Sequence, residues 1–409
     1  MPPAGVRSVA GCLLVQLCVG ILYLWSVLKA PVVQSLGLSP STAGMMASYM
    51  LMGFVGGGLV GGLLTDKLGQ RITCVIGVCV FAAGIASSAL LTASSGGLLV
   101  LTYAICGGLG SGIAYSACIS CIQKWMPKRK GLASGLAIGA FGLSTVVFVP
   151  VIRGVMGLFT VEGLVNFHGV FAVLGGGFFV VGMLGCLLIR RPPEAPRPVG
   201  EKEYNGELGL GEAVRTRAFW CLFFIVFFIN GAWNIATPMI YDLGLARGLS
   251  PESAALALSL TGIANTAGRL IMAVVSDKLG RSRTLLVLSL MTVAAALLLI
   301  FVRGVGYIAM ICVLAYAYGG PSSINAAFTA DLFGGRHAAS IYGVALLALG
   351  ASSMFFNFLA ANVLGGNVTA SFIMGAASAV IPILLMVYMA LARFRLLQPI
   401  GRSFAKRAK

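Results

Sequence analysis

Acidic residues and histidines are scarce in this 409-residue sequence, with 11 Asp and Glu together and two His. Charged residues of either sign make up only 10%, against about 25% in a soluble domain. That excludes an ordinary water-soluble globule. The histidines, His168 and His337, lie apart, each in or beside a loop, and no metal site can be assembled from them. No span carries a His/Asp/Glu cluster or a nucleophile–base pair, which argues against a membrane enzyme. No cofactor is expected.

What the sequence has in excess is apolar residues, at 59% with a mean hydropathy of +0.99. This is the composition of a polytopic membrane protein and the opposite of a disordered chain. Runs of the roughly 20 apolar residues that a span needs fall at 9–30, 41–65, 72–92, 97–122, 131–152 and 167–189. After a polar interruption they resume at 218–241, 252–275, 284–302, 305–328, 340–363 and 369–392. The expected fold is therefore an all-α membrane protein of twelve transmembrane helices in two six-helix halves. The halves are placed at 1–190 and 218–392, with a proline-rich cytoplasmic linker at 191–217 and a basic tail at 393–409. Within the linker, ELGLGEAVRT is expected to form a short interfacial helix. The first run ends at Lys29 and Pro31 without a small-residue cleavage site, so it is expected to stay as the first span.

The net charge of +17 follows from topology. With the N-terminus inside, 23 of the 28 Lys and Arg fall on cytoplasmic segments. Four (Lys29, Arg153, Arg247 and Arg303) fall at outer ends, and Arg269 is left inside a span. Both termini are thus expected in the cytoplasm, and the basic charge faces anionic lipid rather than nucleic acid. Lys29 and Arg153 are expected to be snorkelling anchors more than parts of an anion funnel. The ten cysteines lie in or beside apolar runs and form no secreted disulfide framework. Cys118 and Cys121 make a C-x-x-C inside a span, which reads as small buried filler.

Glycine is abundant, at 55 residues. Gly107 to Gly112 spells GGLGSG, which mimics a phosphate loop but lies inside a span, without the strand such a loop requires. Spacings such as Gly58/Gly62 and Gly108/Gly112 instead permit close helix contacts. With no ATP site visible, transport is expected to be secondary.

One repeat organises the chain. Asp66-Lys67-Leu68-Gly69 after the second span recurs as Asp277-Lys278-Leu279-Gly280 after the eighth, 211 residues later, with Arg71 and Arg281 close behind. The G-x-x-x-D-[RK]-x-G-x-[RK] pattern resembles the signature of the major facilitator superfamily. That resemblance implies two parallel halves and gating by the loops of Asp66, Lys67, Gly69, Arg71, Asp277, Lys278, Gly280 and Arg281; simple stabilisation of the turns is the other reading. Narrower stretches resemble the oxalate/formate antiporter branch, a relative of the monocarboxylate transporters. They are QLCVGILYLWSVLKAP from Gln16, WMPKRKGLASGLAIGAFG from Trp125, YDLGLARGLSPE from Tyr241, YGGPS from Tyr318 and ADLFGGRHAASIYG from Ala330.

Arg269 stands out from the residues alone. It lies eight positions before Asp277, about 12 Å from that helix end at ~1.5 Å per residue. An arginine there costs ~2.5–3.5 kcal/mol on insertion scales and cannot lose its proton. It needs an anion or a wet cavity, and no span has an acid at its centre, so the substrate is the simplest counter-ion; bonding to helix carbonyls is the structural alternative. In the antiporter branch an arginine at this place grips the substrate carboxylate. The monocarboxylate relatives carry an aspartate one turn earlier, tied to proton coupling, where this chain has Asn265. A second family cation is expected in YGVALLALG, Tyr342 to Gly350, where this chain has Leu349. Tyr23, Tyr115 and Tyr318 match places where the family has cavity-lining aromatics, or else they pack. Asn230 and Asn234 in the seventh span share a helical face, facing substrate or bonding between helices.

The sequence therefore points to a carrier of small organic anions, preferentially monocarboxylates, in the cell (inner) membrane. Exchange for a counter-anion, symport with a proton and uniport all stay open, and the carrier is expected to be a monomer. An oxalate/formate-type dicarboxylate exchanger and a non-transporting carboxylate sensor of the same fold are the alternatives.

Overall fold

A serine followed by a proline opens two helices of this chain in the same way. Ser39 Oγ accepts from Thr42 N–H at 3.1 Å with Pro40 in the first turn. Ser250 Oγ accepts from Ser253 N–H at 3.2 Å, with Pro251 in the same place. The serine oxygen takes up one orphan N–H, and proline has none to leave unpaired. The computed structural model describes residues 2–20, 25–161, 164–192, 208–364 and 367–391. Tyr23, residues 193–207 of the linker and the 393–409 tail lie outside the described residues.

In chain order, α1 (Pro3–Val19) and α2 (Trp25–Leu36) are followed by α3 (Pro40–Leu68) and α4 (Gln70–Ser87). A 3-10 and π-helical stretch over 93–106 leads into α5 (Gly107–Trp125), then α6 (Lys130–Leu158) and α7 (Phe167–Leu188). Between the last two, β1 (Thr160–Val161) and β2 (Leu164–Val165) pair antiparallel. Beyond the linker come α8 (Leu210–Ala213), α9 (Arg217–Ile229), α10 (Gly231–Ala236) and α11 (Ile240–Ala246). The chain continues through α12 (Pro251–Leu279), α13 (Arg281–Leu298), α14 (Val305–Phe333), α15 (Ala338–Phe358) and α16 (Val368–Leu391). Among the described residues, eleven helices are long and apolar enough to cross a membrane, and Pro3–Val19 is a shorter apolar one. The protein is a multi-pass, all-α membrane protein.

Two expected spans differ in detail. The first begins at Pro3 rather than residue 9, because an apolar count starts at the hydrocarbon while the helix starts at its cap. The seventh, one unbroken apolar run in sequence, is three helices. Asn230 donates its side-chain amide to the Val226 carbonyl at the end of α9, a local bond that competes with the helix ladder. Pro238 then falls in the 3-10 turn Thr237–Met239, where its missing N–H is tolerated.

The chain forms two compact units. The first comprises Met1–Lys128, Leu136–Val199 and Tyr342–Val344; the second comprises Arg129–Gly135, Gly200–Ile341 and Ala345–Lys409.

The 211-residue repeat is structural. Helices α3 and α12 are 29 residues each, α4 and α13 are 18 each, and their ends coincide at that offset. Gly69 and Gly280 join each pair at φ of 82° and 91°, in the left-handed region that glycine tolerates. Thr73 and Thr284 each return a hydroxyl bond of 2.9 Å to that glycine's carbonyl.

Glycine also sets helix spacing. A Cβ at Gly112 would lie 2.0 Å from the Phe54 carbonyl oxygen, and one at Gly57 would lie 2.1 Å from that of Leu109. In the second unit a Cβ at Gly268 would lie 2.2 Å from the Tyr316 oxygen, and one at Gly319 would lie 2.1 Å from the Asn265 oxygen. So α3 meets α5, and α12 meets α14, backbone to backbone. The GGLGSG stretch is part of α5 and serves this contact. Gly112→Val should therefore cost at least the ~1–3 kcal/mol of an overpacked core and abolish monodisperse protein in size-exclusion chromatography. Gly176→Ala, with nothing within 4 Å, should behave as wild type.

Candidate functional site

Arg269 sits on α12 with 7% of its surface exposed. Its Nε donates to Asn265 Oδ1 at 2.9 Å, one turn back on the same helix. That bond fixes the plane of the guanidinium. Asn265, read from sequence only as a missing aspartate, is thus the residue that orients the cation.

The neighbouring wall comes from α14 and α10. The Gly319 backbone lies against the Asn265 carbonyl, and Tyr318 is the residue before it on α14. The Tyr318 ring stacks on Trp233 of α10, with centroids 5.3 Å apart and planes 22° apart. Next to Trp233, Asn234 donates its amide to Ser352 Oγ of α15 at 3.1 Å. Leu349 lies one turn before Ser352 on α15 and is half-buried. The stack thus joins α14 to α10 and the amide bond joins α10 to α15, while Arg269 lies on α12 of the same unit. Asn230 is buried at the α9–α10 break, its amide turned back on its own helix. Across that break the Asn234 N–H still bonds to the Asn230 carbonyl at 3.0 Å, so the two asparagines keep the expected i, i+4 relation.

Tyr115 belongs to the first unit. It is buried and packs edge-on against Phe54 (5.0 Å) and Phe141 (5.2 Å). Tyr23 lies outside the described residues, so its place in the site stays an expectation.

The second DKLG turn anchors an ion network inside the second unit. Asp277 accepts from the backbone N–H groups of Gly131 and Leu132, both at 2.8 Å. Two orphan donors at the N-terminus of α6 are satisfied by one carboxylate, whose charge also suits the helix dipole. Arg281 pairs with Asp277 at 2.7 Å and with Asp331 at 3.0 Å, and it donates to Ser276 Oγ at 2.6 Å. Lys130 completes the network at 2.9 Å from Asp331 and 3.1 Å from the Ala330 carbonyl. Lys278 is exposed beside it. In the first turn, Asp66 is half-buried while Lys67 and Arg71 are exposed. Asp331 was not singled out from sequence, although it is one of only 11 acids and ends the tenth span in ADLFGGRH. A rare acid at a span end was the available signal.

The Major Facilitator Superfamily model matches residues 10–357. The chain is 27% identical over 415 residues to the oxalate:formate antiporter of Oxalobacter formigenes, covering 98% of this chain and 93% of that one. It is 29% identical over 163 residues to human monocarboxylate transporter 1, covering 40% of this chain and 29% of that one. Among solved structures, FucP in its outward conformation superposes with a TM-score of 0.71 at 17% identity, over 94% of this chain and 99% of that one. At that identity the likeness concerns the fold. The family match covers most of the chain, its repeat and its helices, and this chain belongs to the Major Facilitator Superfamily.

Proposed function

We propose that this transporter carries short monocarboxylates by alternating access, with Arg269 holding the substrate carboxylate. The observation that carries this reading is a permanent cation, buried near mid-span and oriented by Asn265. The planar guanidinium suits a carboxylate, which it would grip in bidentate fashion. The Tyr318–Trp233 stack gives such a substrate an apolar wall with a hydroxyl handle. An intramembrane cation disfavours cationic drugs. Asn234 is assigned to the polar side of that wall, and the resemblance to the antiporter branch alone supports Tyr23 and Tyr115 as substrate-binding residues.

Leu349 supports one carboxylate over two. A dianion would leave a charge unpaired in a desolvated site, at a cost of several kcal/mol, where ~1.4 kcal/mol is a decade of affinity. Kinship with an oxalate:formate antiporter along the whole chain favours the second reading, dicarboxylate exchange. Leu349→Lys separates the two. It should move preference toward dicarboxylates by tenfold or more in competition counterflow. Oxalate outcompeting every monocarboxylate on the wild type would exclude the first reading.

The eight DKLG-loop residues are assigned to gating, with Gly69 and Gly280 forming the turns. The excess of Lys and Arg on alternate loops supports cytoplasmic termini in a cell (inner) membrane, and the carrier is taken as a monomer. A proton or a counter-anion is the candidate coupling partner, with uniport the uncoupled alternative. The test is a thermal-shift screen of mono- and dicarboxylates on purified protein, followed by counterflow in liposomes. Saturable binding without flux would make the protein a sensor.

A further inference from the structure

Four thiols meet in the first unit, remote in sequence from the Arg269 site. Cys12 of α1, Cys74 of α4, and Cys118 and Cys121 of α5 are each fully buried. Cys74 Sγ lies 3.6 Å from Cys118 Sγ, and the Cys12 thiol interacts with both Cys118 and Cys121. The C-x-x-C of α5, filler when read alone, has gained two partners from helices that no linear motif connects to it.

The helices that carry Cys74 and Cys118 run in close contact beside the pair. One turn from Cys74, a Cβ on Gly77 would lie 2.6 Å from the Ala114 nitrogen; Ala114 is one turn from Cys118. A further turn along, a Cβ on Gly110 would lie 2.2 Å from the Phe81 nitrogen. A disulfide needs Cα atoms about 4.4–6.8 Å apart, and such close packing of α4 on α5 favours that approach. The cluster sits one turn from the basic ends of its helices, with Arg71 three residues before Cys74 and Lys124 three after Cys121.

We propose that Cys12, Cys74, Cys118 and Cys121 form an oxidisable thiol cluster. In it Cys74 and Cys118 close a disulfide that fastens α4 to α5, and Cys12 and Cys121 serve as exchange partners. The oxidant is hydrogen peroxide, small and neutral enough to enter an apolar interior. One sulfur attacks the peroxide, forming an S–O bond as the O–O bond breaks, and its proton leaves with the released hydroxide as water. The neighbouring sulfur then displaces the sulfenic hydroxyl as a second water, closing the S–S bond. Two thiols are oxidised to one disulfide and one peroxide is reduced to two waters. Exchange with Cys12 moves the bond within the cluster without a further oxidant.

The experiment treats purified full-length protein in detergent with hydrogen peroxide, removes the peroxide, unfolds the chain and counts free thiols by maleimide labelling. Two thiols should be lost from the ten per chain. Tandem mass spectrometry should locate a Cys74–Cys118 linkage, or its Cys12 exchange products, and dithiothreitol should restore all ten. The Cys74→Ser/Cys118→Ser double variant should lose none. Peptide mapping of the wild type does not depend on how the variant folds. Full retention of all ten thiols would overturn the proposal, as would a linkage among Cys18, Cys79, Cys106, Cys186, Cys221 or Cys312. Loss of thiols as sulfinic acid with no disulfide would do the same.

Discussion

Arg269→Ala protein is expected to insert and fold yet to lose carboxylate uptake by at least about thirtyfold. Removing one partner of a desolvated, hydrogen-bonded charge pair costs 2–5 kcal/mol or more, which is roughly one and a half to three and a half decades of affinity. The same substitution removes a charge that is costly to hold at mid-membrane. The ligand-free variant should therefore melt no earlier than wild type while failing to gain stability from added carboxylate. Arg269→Lys should fall between them, since it keeps the charge but not the planar fork. Counterflow and ligand-dependent melting measure both effects. Undiminished uptake by the alanine variant would remove Arg269 from the site.

Replacing Asp277 should act on turnover rather than on binding. Its two oxygens satisfy Gly131 and Leu132 at the start of α6 and also pair with Arg281. A lost N-cap alone costs ~0.5–2 kcal/mol, and the Arg281 pair is largely shielded, its side chains 11% and 12% exposed. Together these shift a two-state equilibrium by one to two decades, at ~1.4 kcal/mol per decade. If the network forms and breaks once per transport cycle, Asp277→Ala should lower kcat by tenfold or more with KM within about threefold of wild type. Asp277→Asn keeps one acceptor but loses the charge and should show a smaller loss. Asp331→Asn, which weakens the bonds to Lys130 and Arg281, should reproduce part of the defect. A raised KM with normal kcat would show that these residues do not gate.

Much of this architecture was legible in the sequence, because the quantities involved are local. The free energy of placing a residue in hydrocarbon is nearly a sum over side chains, so apolar runs marked the spans. A repeated DKLG at a fixed offset marked two equivalent turns, since a left-handed glycine and a cap serine are fixed by their own neighbours. Arg269 was visible for the same reason: a charge in such a run is expensive wherever the helix packs.

Contacts between helices were not legible, because they depend on which face of one helix meets which face of another. Nothing in the order of residues joined Asp331 and Lys130 to Asp277, or turned the Asn230 amide back onto Val226. Nor did it stack Trp233 on Tyr318, or gather Cys12 and Cys74 around Cys118. The sequence by itself determined the membrane class, the span pattern, the repeat and the buried cation. Only the tertiary structure decided the partners of each polar side chain. A hydrogen bond or thiol contact exists only within a few ångströms, and the close glycine-mediated packing of α3 on α5 and α12 on α14 sets those distances.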